Sequence, residues 1–515
     1  MPIHHVQKML MVSPDYSYKE KYWTILSNYV EENYGRDEIK SSILVQKILK
    51  ECFTLLGEQF VNLIKSQNKA SFYLYAHNFH ENSGELWKQQ LEGIKLSIDE
   101  EEFAGTRRVL KIILEQSCGI ELVGTPNFNN EMYQNRFQYL KLLEELLYIG
   151  HWAIALSEYI ARSQLFPKSI GISVVNHELN ILTYSPYNLL YDFIHQDLKR
   201  HNDGVVINNT LKDFNVILKK SLGLDFHVIA AVVNEQLINS QYRHGVLQIE
   251  QLIDLISNDK GYDKDKLRDY YAGLTLTNYN FMSFENCILR NQDINRHTYR
   301  PILQMRIDNK EYCLIGRNKW LESLTLISTN AIPYGICATE WKKYKDIRKF
   351  IDNMSNNHDK ILEKPLIELL EIHNYKYDNN IKTVYKDKRN SVNIEIKGIG
   401  EIDIMFLDEK YHLIYVCECK HNRSRFDMFN WRRDYSNFID KYEIQLENKV
   451  NWVEENKNLV SQHFSVICDD TNIDLSTYDV VGIFAINAPT VYMHNGRFRT
   501  FTIVDFRKLL LHKFW

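Results

Sequence analysis

The first third of the chain repeats apolar residues at intervals of three and four, the spacing that lines them along one side of a helix. One such stripe runs from residue 43 to 64, and another from 137 to 166. Stripes of this kind are typical of helices that pack against one another rather than of cofactor sites. We therefore predict that residues 16–165 are mostly helical and that 1–165 form a helical accessory region.

The middle of the chain mixes strand and helix patterns. Residues 170–184 predict a short hairpin that turns at Asn176-His177-Glu178, and residues 299–315 predict two more strands. Helical spacing returns between these two segments. We therefore predict a mixed α+β accessory region over residues 166–345.

Residues 346–515 carry the pattern of an α/β domain, and the polar stretch 352–357 is the expected boundary in front of it. An amphipathic helix is predicted over 359–373. Asn495-Gly496 predicts the turn of a last hairpin over 491–504. Nearly continuous apolar runs predict a mixed sheet, flanked by helices, whose core strands are 400–406, 413–420 and 478–486.

Two of these strands carry charged residues for which a chemical role can be argued. Asp403 lies on the first, and the second ends in Glu418-Cys419-Lys420. Because strand side chains alternate between faces, Glu418 and Lys420 point one way while Cys417 and Cys419 point the other. Two carboxylates and one ammonium gathered at one place suit a divalent metal ion with oxygen ligands and a cation beside its bound water.

This arrangement resembles the PD-(D/E)xK nuclease superfamily, the fold shared by many restriction endonucleases. The order of elements is that of the family: helix, strand with Asp, strand with Glu-x-Lys, helix, strand. The resemblance implies that Asp403, Glu418 and the main-chain carbonyl of Cys419 bind Mg²⁺ or Mn²⁺. It also implies that Lys420 orients and acidifies the attacking water or stabilises the charge developing on the phosphate, and that Glu363 holds a second metal ion or a metal-bound water.

The resemblance covers residues 350–515 and departs from the family pattern in two places. No proline precedes Asp403, and no Gln-x-x-x-Tyr element follows Lys420, which argues against one particular restriction-enzyme subgroup. The alternative interpretation is a solvated hairpin whose outer face happens to carry these charges. The nearly unbroken apolar run at 413–419 argues against that alternative, because a surface hairpin alternates more cleanly.

Basic and aromatic residues follow Lys420 closely along the chain. Arginine side chains form forks that match phosphate oxygens, and tryptophan can stack on a base. The alternative is an ordinary amphipathic helix over 426–443 whose arginines are only solvated, and the pattern favours neither interpretation. The candidate nucleic-acid-binding residues are Arg423, Arg425, Arg432 and Arg433, with Trp431 among them.

Composition limits the class of protein. A chain of 515 residues and 61.2 kDa is expected to form more than one domain. Its 44% hydrophobic and 25% charged residues are typical of a soluble globular protein, and a net charge of −4 requires any nucleic-acid surface to be local. The eight scattered cysteines predict a reducing, cytoplasmic compartment, and no apolar run is long enough to span a bilayer.

Together these features predict a Mg²⁺-dependent endonuclease, with DNA favoured over RNA because the superfamily cuts DNA more often. A large accessory region without an ATP-binding P-loop suggests, by analogy, a regulated effector of bacterial anti-phage defence. The competing hypothesis is a non-catalytic interaction or assembly protein with a nuclease-like scaffold. Its helical N-terminal region would bind a protein partner or a second copy of the chain.

Overall fold

A computed structural model of the chain divides into two compact units. The first unit comprises residues 1–184 and 207–355, and the second comprises 185–206 and 356–515. Both units combine helices with sheets, so the chain belongs to the mixed α/β class. The described residues are 3–127, 130–185, 188–190, 192, 210–239, 244–357, 360–395, 398–423, 425 and 428–511.

Helices dominate the first unit, because the long apolar stripes of the sequence are buried against one another. The two predicted stripes fall on the long helices α2 and α6 and are confirmed as helix-packing surfaces. No helix in the described ranges is long and apolar enough to cross a membrane. The helices of this unit are α1 (Lys19–Tyr34), α2 (Ser42–Ser66), α3 (Ala70–Leu91), α4 (Glu100–Ser117), α5 (Asn130–Gln134), α6 (Arg136–Leu165), α7 (Thr210–Leu222), α8 (Phe226–Asn239), α9 (Ile249–Lys260), α10 (Lys264–Ala272), α11 (Phe284–Leu289), α12 (Arg317–Asn330) and α13 (Lys345–Asn357).

The strands of the first unit form two hairpins and one larger sheet. The predicted hairpin at 170–184 is confirmed as β4 and β5, and the predicted strands within 299–315 are confirmed as β8 and β9. The larger sheet has the order β3-β8-β9-β6, with β7 also paired to β8. The strands are β1 (Ile3–Val6), β2 (Met9–Val12), β3 (Glu121–Leu122), β4 (Ile170–Val175), β5 (Glu178–Thr183), β6 (His244–Leu247), β7 (Thr275–Leu276), β8 (Ile302–Ile307) and β9 (Lys310–Gly316).

Buried ion pairs link distant parts of the first unit. Arg296 donates from Nε to both carboxylate oxygens of Glu115 on α4, each at 2.9 Å. Glu322 on α12 accepts from Lys319 at 3.0 Å and pairs with Arg107 on α4 at 3.1 Å. All five side chains are buried. Because a buried charge is tolerated only with a partner, these contacts require the helices to dock in one arrangement.

The second unit is built on a five-stranded mixed sheet of order β10-β13-β14-β15-β16. Its first two pairings are antiparallel and its last two are parallel. A separate small hairpin, β11–β12, lies between β10 and β13 along the chain. The strands are β10 (Lys376–Ile381), β11 (Thr383–Tyr385), β12 (Ser391–Asn393), β13 (Ile402–Asp408), β14 (Leu413–Lys420), β15 (Asp479–Ile486) and β16 (Arg499–Thr502).

Helices cover both faces of this sheet. The amphipathic helix predicted at 359–373 is confirmed as α14, which packs with α19 on the face that carries Cys417 and Cys419. On the other face, α16 and α17 pack over Met405 and Val416. The helices are α14 (Lys360–Ile372), α15 (Met428–Asn437), α16 (Glu443–Glu455), α17 (Lys457–Ile467), α18 (Tyr492–Asn495) and α19 (Ile503–Leu510).

The helix predicted over 426–443, whose first two residues lie outside the described ranges, extends further than expected at its C-terminal end and contains an irregular turn. Between α15 and α16 the chain continues as a π-helical segment, Phe438–Tyr442, and helical structure then extends to Glu455. Single π turns inside helices are uncommon and frequently lie at functional sites. Here the segment ends at the wall of the cavity described below.

The hairpin predicted over 491–504 is wrong. β16 pairs parallel to β15, and the segment before it forms the short helix α18. Gly496 has φ −83° and ψ 158°, an extended conformation rather than the left-handed one that a tight Asn-Gly turn requires. Tyr492 is fully buried, and its hydroxyl bonds Glu443 at 2.6 Å. Anchoring that ring in the core therefore outweighs the local turn preference.

Candidate functional site

Asp403 and Glu418 lie on neighbouring strands at the point where the strands separate. β13 and β14 pair antiparallel with Ile404 opposite Cys417, so the same register carried one step further places Asp403 opposite Glu418. Both side chains point to the face covered by α16. Oδ2 of Asp403 accepts the main-chain N–H of Cys419 at 2.7 Å. The carboxylate thus takes the place of a ladder bond and keeps the strands apart at this end.

Two lysines meet these carboxylates. Lys420 donates from Nζ to Oε1 of Glu418 at 2.8 Å. Lys449, on α16, forms an ion pair with Oε2 of Glu418 and lies 3.9 Å from Oδ1 of Asp403. Lys449 and Glu418 are almost completely buried, whereas the side chains of Asp403 and Lys420 are 16% and 15% exposed. The cluster is therefore open to solvent on the side of Asp403 and Lys420.

These charged groups line one open cavity of about 450 Å³. The ammonium of Lys420 lies 5.0 Å from the centre of the Tyr442 ring, close enough for a cation–π contact that helps to orient it. A cavity of this size admits a phosphate group with its flanking atoms. Its wall includes Asp403, Glu418, Lys420, Lys441, Tyr442 and Lys449.

The two carboxylates differ in their affinity for a proton. Burial raises the pKa of Asp403, and the charge of Glu418 raises it further, against the opposing charges of Lys449 and Lys420. Burial also acts to raise the pKa of Glu418, but the charges and hydrogen bonds of Lys420 and Lys449 outweigh it and hold that pKa below its ordinary value. Glu418 therefore holds a proton less tightly than Asp403 does.

Comparisons with family models, with curated proteins and with solved structures found no match to this chain. What the site can do therefore follows from its own geometry. Within the described ranges, no group of three or more His, Cys, Asp or Glu side chains converges on one point. A metal ion held by Asp403 and Glu418 would complete its coordination with main-chain oxygen, water or substrate.

The donor set nevertheless fits a divalent cation. A cationic nitrogen, Nζ of Lys449, already approaches both carboxylates, so their oxygens lie within reach of one positive centre. Oxygen-only ligands with two carboxylates are the chemistry that Mg²⁺ and Mn²⁺ prefer. Cys419, whose carbonyl is the third predicted ligand, is held beside Asp403 by its own N–H.

Glu363 is the fourth predicted catalytic residue. It is 5% exposed on α14, and its Oε2 accepts a hydrogen bond from Asn380 at 3.1 Å. The side of α14 that is buried packs on the face with Cys417 and Cys419, opposite the face of Asp403. Among the described residues the cavity wall does not include Glu363. Its role as a ligand of a second metal ion stays a prediction.

The arginines that follow Lys420 also lie outside the cavity wall, as far as the structure describes it. Arg425 is held by Asp434, from Nε at 3.0 Å and from Nη2 at 3.2 Å, so its fork is already occupied by a carboxylate. Arg423 is buried, whereas Arg433 is exposed. Arg432 lies over the ring of Phe429 at 6.0 Å. Binding of phosphates by this set stays a prediction.

Sequence reasoning missed the contribution of α16 to the site. Tyr442, Gln445 and Lys449 are separated by three and four residues, so they share one side of the helix and all reach the cavity. A signal was present for Lys449, since it interrupts the apolar stripe of Leu446 and Val453. A lysine on a core-facing stripe needs a buried anion, and the strand with Glu418 supplies it.

Proposed function

We propose that this protein is a metal-dependent nuclease of the PD-(D/E)xK type that hydrolyses phosphodiester bonds, with DNA favoured over RNA. One observation carries the proposal: Asp403, Glu418 and Lys420, from two adjacent strands, meet at one open cavity. The carboxylates of a solvated hairpin would remain in water, because burying each of them costs desolvation free energy. Perturbed, buried ionisable groups around a cavity are typical of catalytic sites.

In this proposal Asp403 and Glu418 hold Mg²⁺ or Mn²⁺, with the main-chain carbonyl of Cys419 as a third ligand. When bound, the ion supplies neutralisation of phosphate charge and acidification of a coordinated water. Lys420 holds Glu418 in position through Oε1, and its ammonium is placed to orient a water or to contact a phosphate oxygen. The Tyr442 ring restricts where that ammonium can move.

Lys441, also at the cavity wall, is an additional cation for the phosphates on either side of the cleaved bond. The preference for DNA and a place in bacterial anti-phage defence rest on the resemblance and on analogy. Partner binding or self-association through the helical part of the first unit is compatible with this proposal, since an accessory region can regulate the nuclease.

The test is cleavage by the purified full chain. Supercoiled plasmid, linear duplex, single-stranded DNA and RNA are each incubated with Mg²⁺, with Mn²⁺ and with EDTA. Cleavage of at least one substrate is expected with metal and none with EDTA. Asp403→Asn and Lys420→Met are each expected to lower the rate at least about 100-fold, the usual contribution of a group that handles charge at the reacting centre.

Asp408→Asn is the matched control. Asp408 is also buried, on the same strand, but accepts the N–H groups of the following turn at 3.1 Å and is not part of the cavity wall described above. Its replacement is expected to lower stability without a loss of metal-dependent cleavage. If wild-type protein cleaves none of the four substrates, or if Asp403→Asn cleaves as well as wild type, the proposal is wrong and the scaffold hypothesis is preferred.

A further inference from the structure

Lys449 is a charged residue of the cavity wall to which the proposed chemistry gives no role. It comes from α16, whereas Glu418 is on the sheet, 31 positions earlier in the chain. Its ammonium contacts Glu418 and lies 3.9 Å from Asp403, and its side chain is 7% exposed. It therefore lies against the two oxygens that would bind a metal ion.

The net charge of the cluster shows how Lys449 affects metal binding. Two carboxylates, Asp403 and Glu418, face two ammonium groups, those of Lys420 and Lys449, so the buried cluster is neutral when both acids are ionised. A divalent ion added to that cluster would bring two uncompensated positive charges into a partly buried site. Repulsion between a metal ion and an ammonium a few ångströms away is strong in such surroundings. Metal and Lys449 therefore compete for the same oxygens.

We propose that Lys449 is a displaceable internal counter-ion that keeps the carboxylates neutralised until a divalent metal ion replaces it. This inference rests on the proposed function of the site. It predicts that the free protein binds metal weakly and that loading requires the Lys449 ammonium to leave Asp403 and Glu418. An anionic phosphate in the cavity offers the ammonium a new partner, so substrate and metal assist each other in binding.

The test measures binding of Mn²⁺ alone to the full chain, by the loss of the free-ion electron paramagnetic resonance signal in a titration. Lys449→Met removes the competing charge but keeps an unbranched apolar side chain of similar length at this buried position of α16. It is expected to bind Mn²⁺ at least about tenfold more tightly than wild type, since one nearby positive charge is gone. Lys449→Arg keeps a permanent charge with a carboxylate-matching fork and is expected to bind Mn²⁺ more weakly.

Lys441→Met is the matched control, because Lys441 lines the same cavity. It removes an equal charge, but its ammonium lies 5.8 Å from the Tyr442 ring and the side chain is exposed. It is expected to change the affinity less than about threefold, since exposed charges are screened. A comparable gain in Lys441→Met and Lys449→Met would overturn the inference in favour of general electrostatics.

Amide hydrogen exchange of β14 peptides gives a second readout that does not depend on activity. In EDTA, these peptides are expected to exchange faster in Lys449→Met than in wild type, and saturating Mn²⁺ is expected to recover more protection in the variant than in wild type. If Lys449→Met does not fold, the Lys449→Arg titration alone decides, and affinity equal to or above wild type overturns the inference.

Failure of this inference and failure of the proposed function give different results. If wild type binds Mn²⁺ and Asp403→Asn does not, the result supports the proposed metal site. Equal or weaker binding by Lys449→Met then removes only the counter-ion role. If neither wild type nor Lys449→Met binds Mn²⁺ at millimolar concentration, both the counter-ion role and the metal-dependent function are wrong.

Discussion

The ion pair between Lys449 and Glu418 has a stability effect that can be derived from its surroundings. Both residues are about 95% buried. Breaking a fully buried pair costs about 3–5 kcal/mol. Lys420 remains bound to the other oxygen of Glu418 and the cavity admits water, so Lys449→Met is expected to cost roughly half of that, about 2 kcal/mol. Glu418→Gln removes the carboxylate that both lysines contact and leaves two ammonium groups beside Asp403, so it should cost more, about 3 kcal/mol.

Amide hydrogen exchange measures this effect where it arises. The chain has two compact units, so one global unfolding transition would not report on the second unit alone. Peptides of β14 exchange when the sheet opens, and a loss of about 2 kcal/mol accelerates that exchange roughly 30-fold. Peptides of β8, in the first unit, serve as the internal control and should exchange as in wild type.

The double variant tests the reasoning most directly. Lys449→Met combined with Glu418→Gln removes both members of the pair, so it should cost at least about 1 kcal/mol less than the sum of the single changes. Additive single and double effects, with a coupling below about 0.5 kcal/mol, would show that the two side chains do not hold each other. The competition assigned to Lys449 would then have no structural basis.

Three further outcomes are expected. Glu322→Gln removes the carboxylate shared by two buried cations and should destabilise the first unit by about 3–5 kcal/mol, measured by exchange of β8 peptides. Burial raises the pKa of Glu144 from 4.5 to about 7, so protonation stabilises the folded state. Raising pH from 4.5 to 7 should lower the melting temperature of wild type relative to Glu144→Gln. Replacing Arg432 and Arg433 with Gln should flatten the salt dependence of nucleic-acid affinity by about one unit per lost phosphate contact; an unchanged slope makes them solvated helix residues.

Part of the candidate site could be predicted from local rules. Glu418 and Lys420 share a face because strands alternate, and the short turn after Asp408 brings Asp403 back beside them. Such relations depend on a few consecutive residues and on one antiparallel pairing. The structure has these side chains where the local rules place them, because β14 is buried on both faces and its register is therefore fixed.

What could not be predicted depends on contacts between distant segments. Lys449 reaches Glu418 only through the packing of α16 on the sheet; the interrupted apolar stripe marks the lysine but does not identify its partner. Arg425 is near Lys420 along the chain, yet Asp434 holds it. The turn at Asn495-Gly496 was predicted from its dipeptide, and the burial of Tyr492 outweighs that preference. Tertiary packing decides each of these cases.

The buried pair of Arg296 and Glu115 has a consequence for how the chain folds as it is synthesised. The two residues are 181 positions apart. At a usual translation speed of about 5–20 residues per second, Glu115 leaves the ribosome roughly 10–40 s before its partner is made. During that interval α4 has no arginine for its inward-facing carboxylate, so the N-terminal helices can collapse but cannot complete their final packing. The final packing of α4 therefore has to wait until residue 296 has emerged from the ribosome.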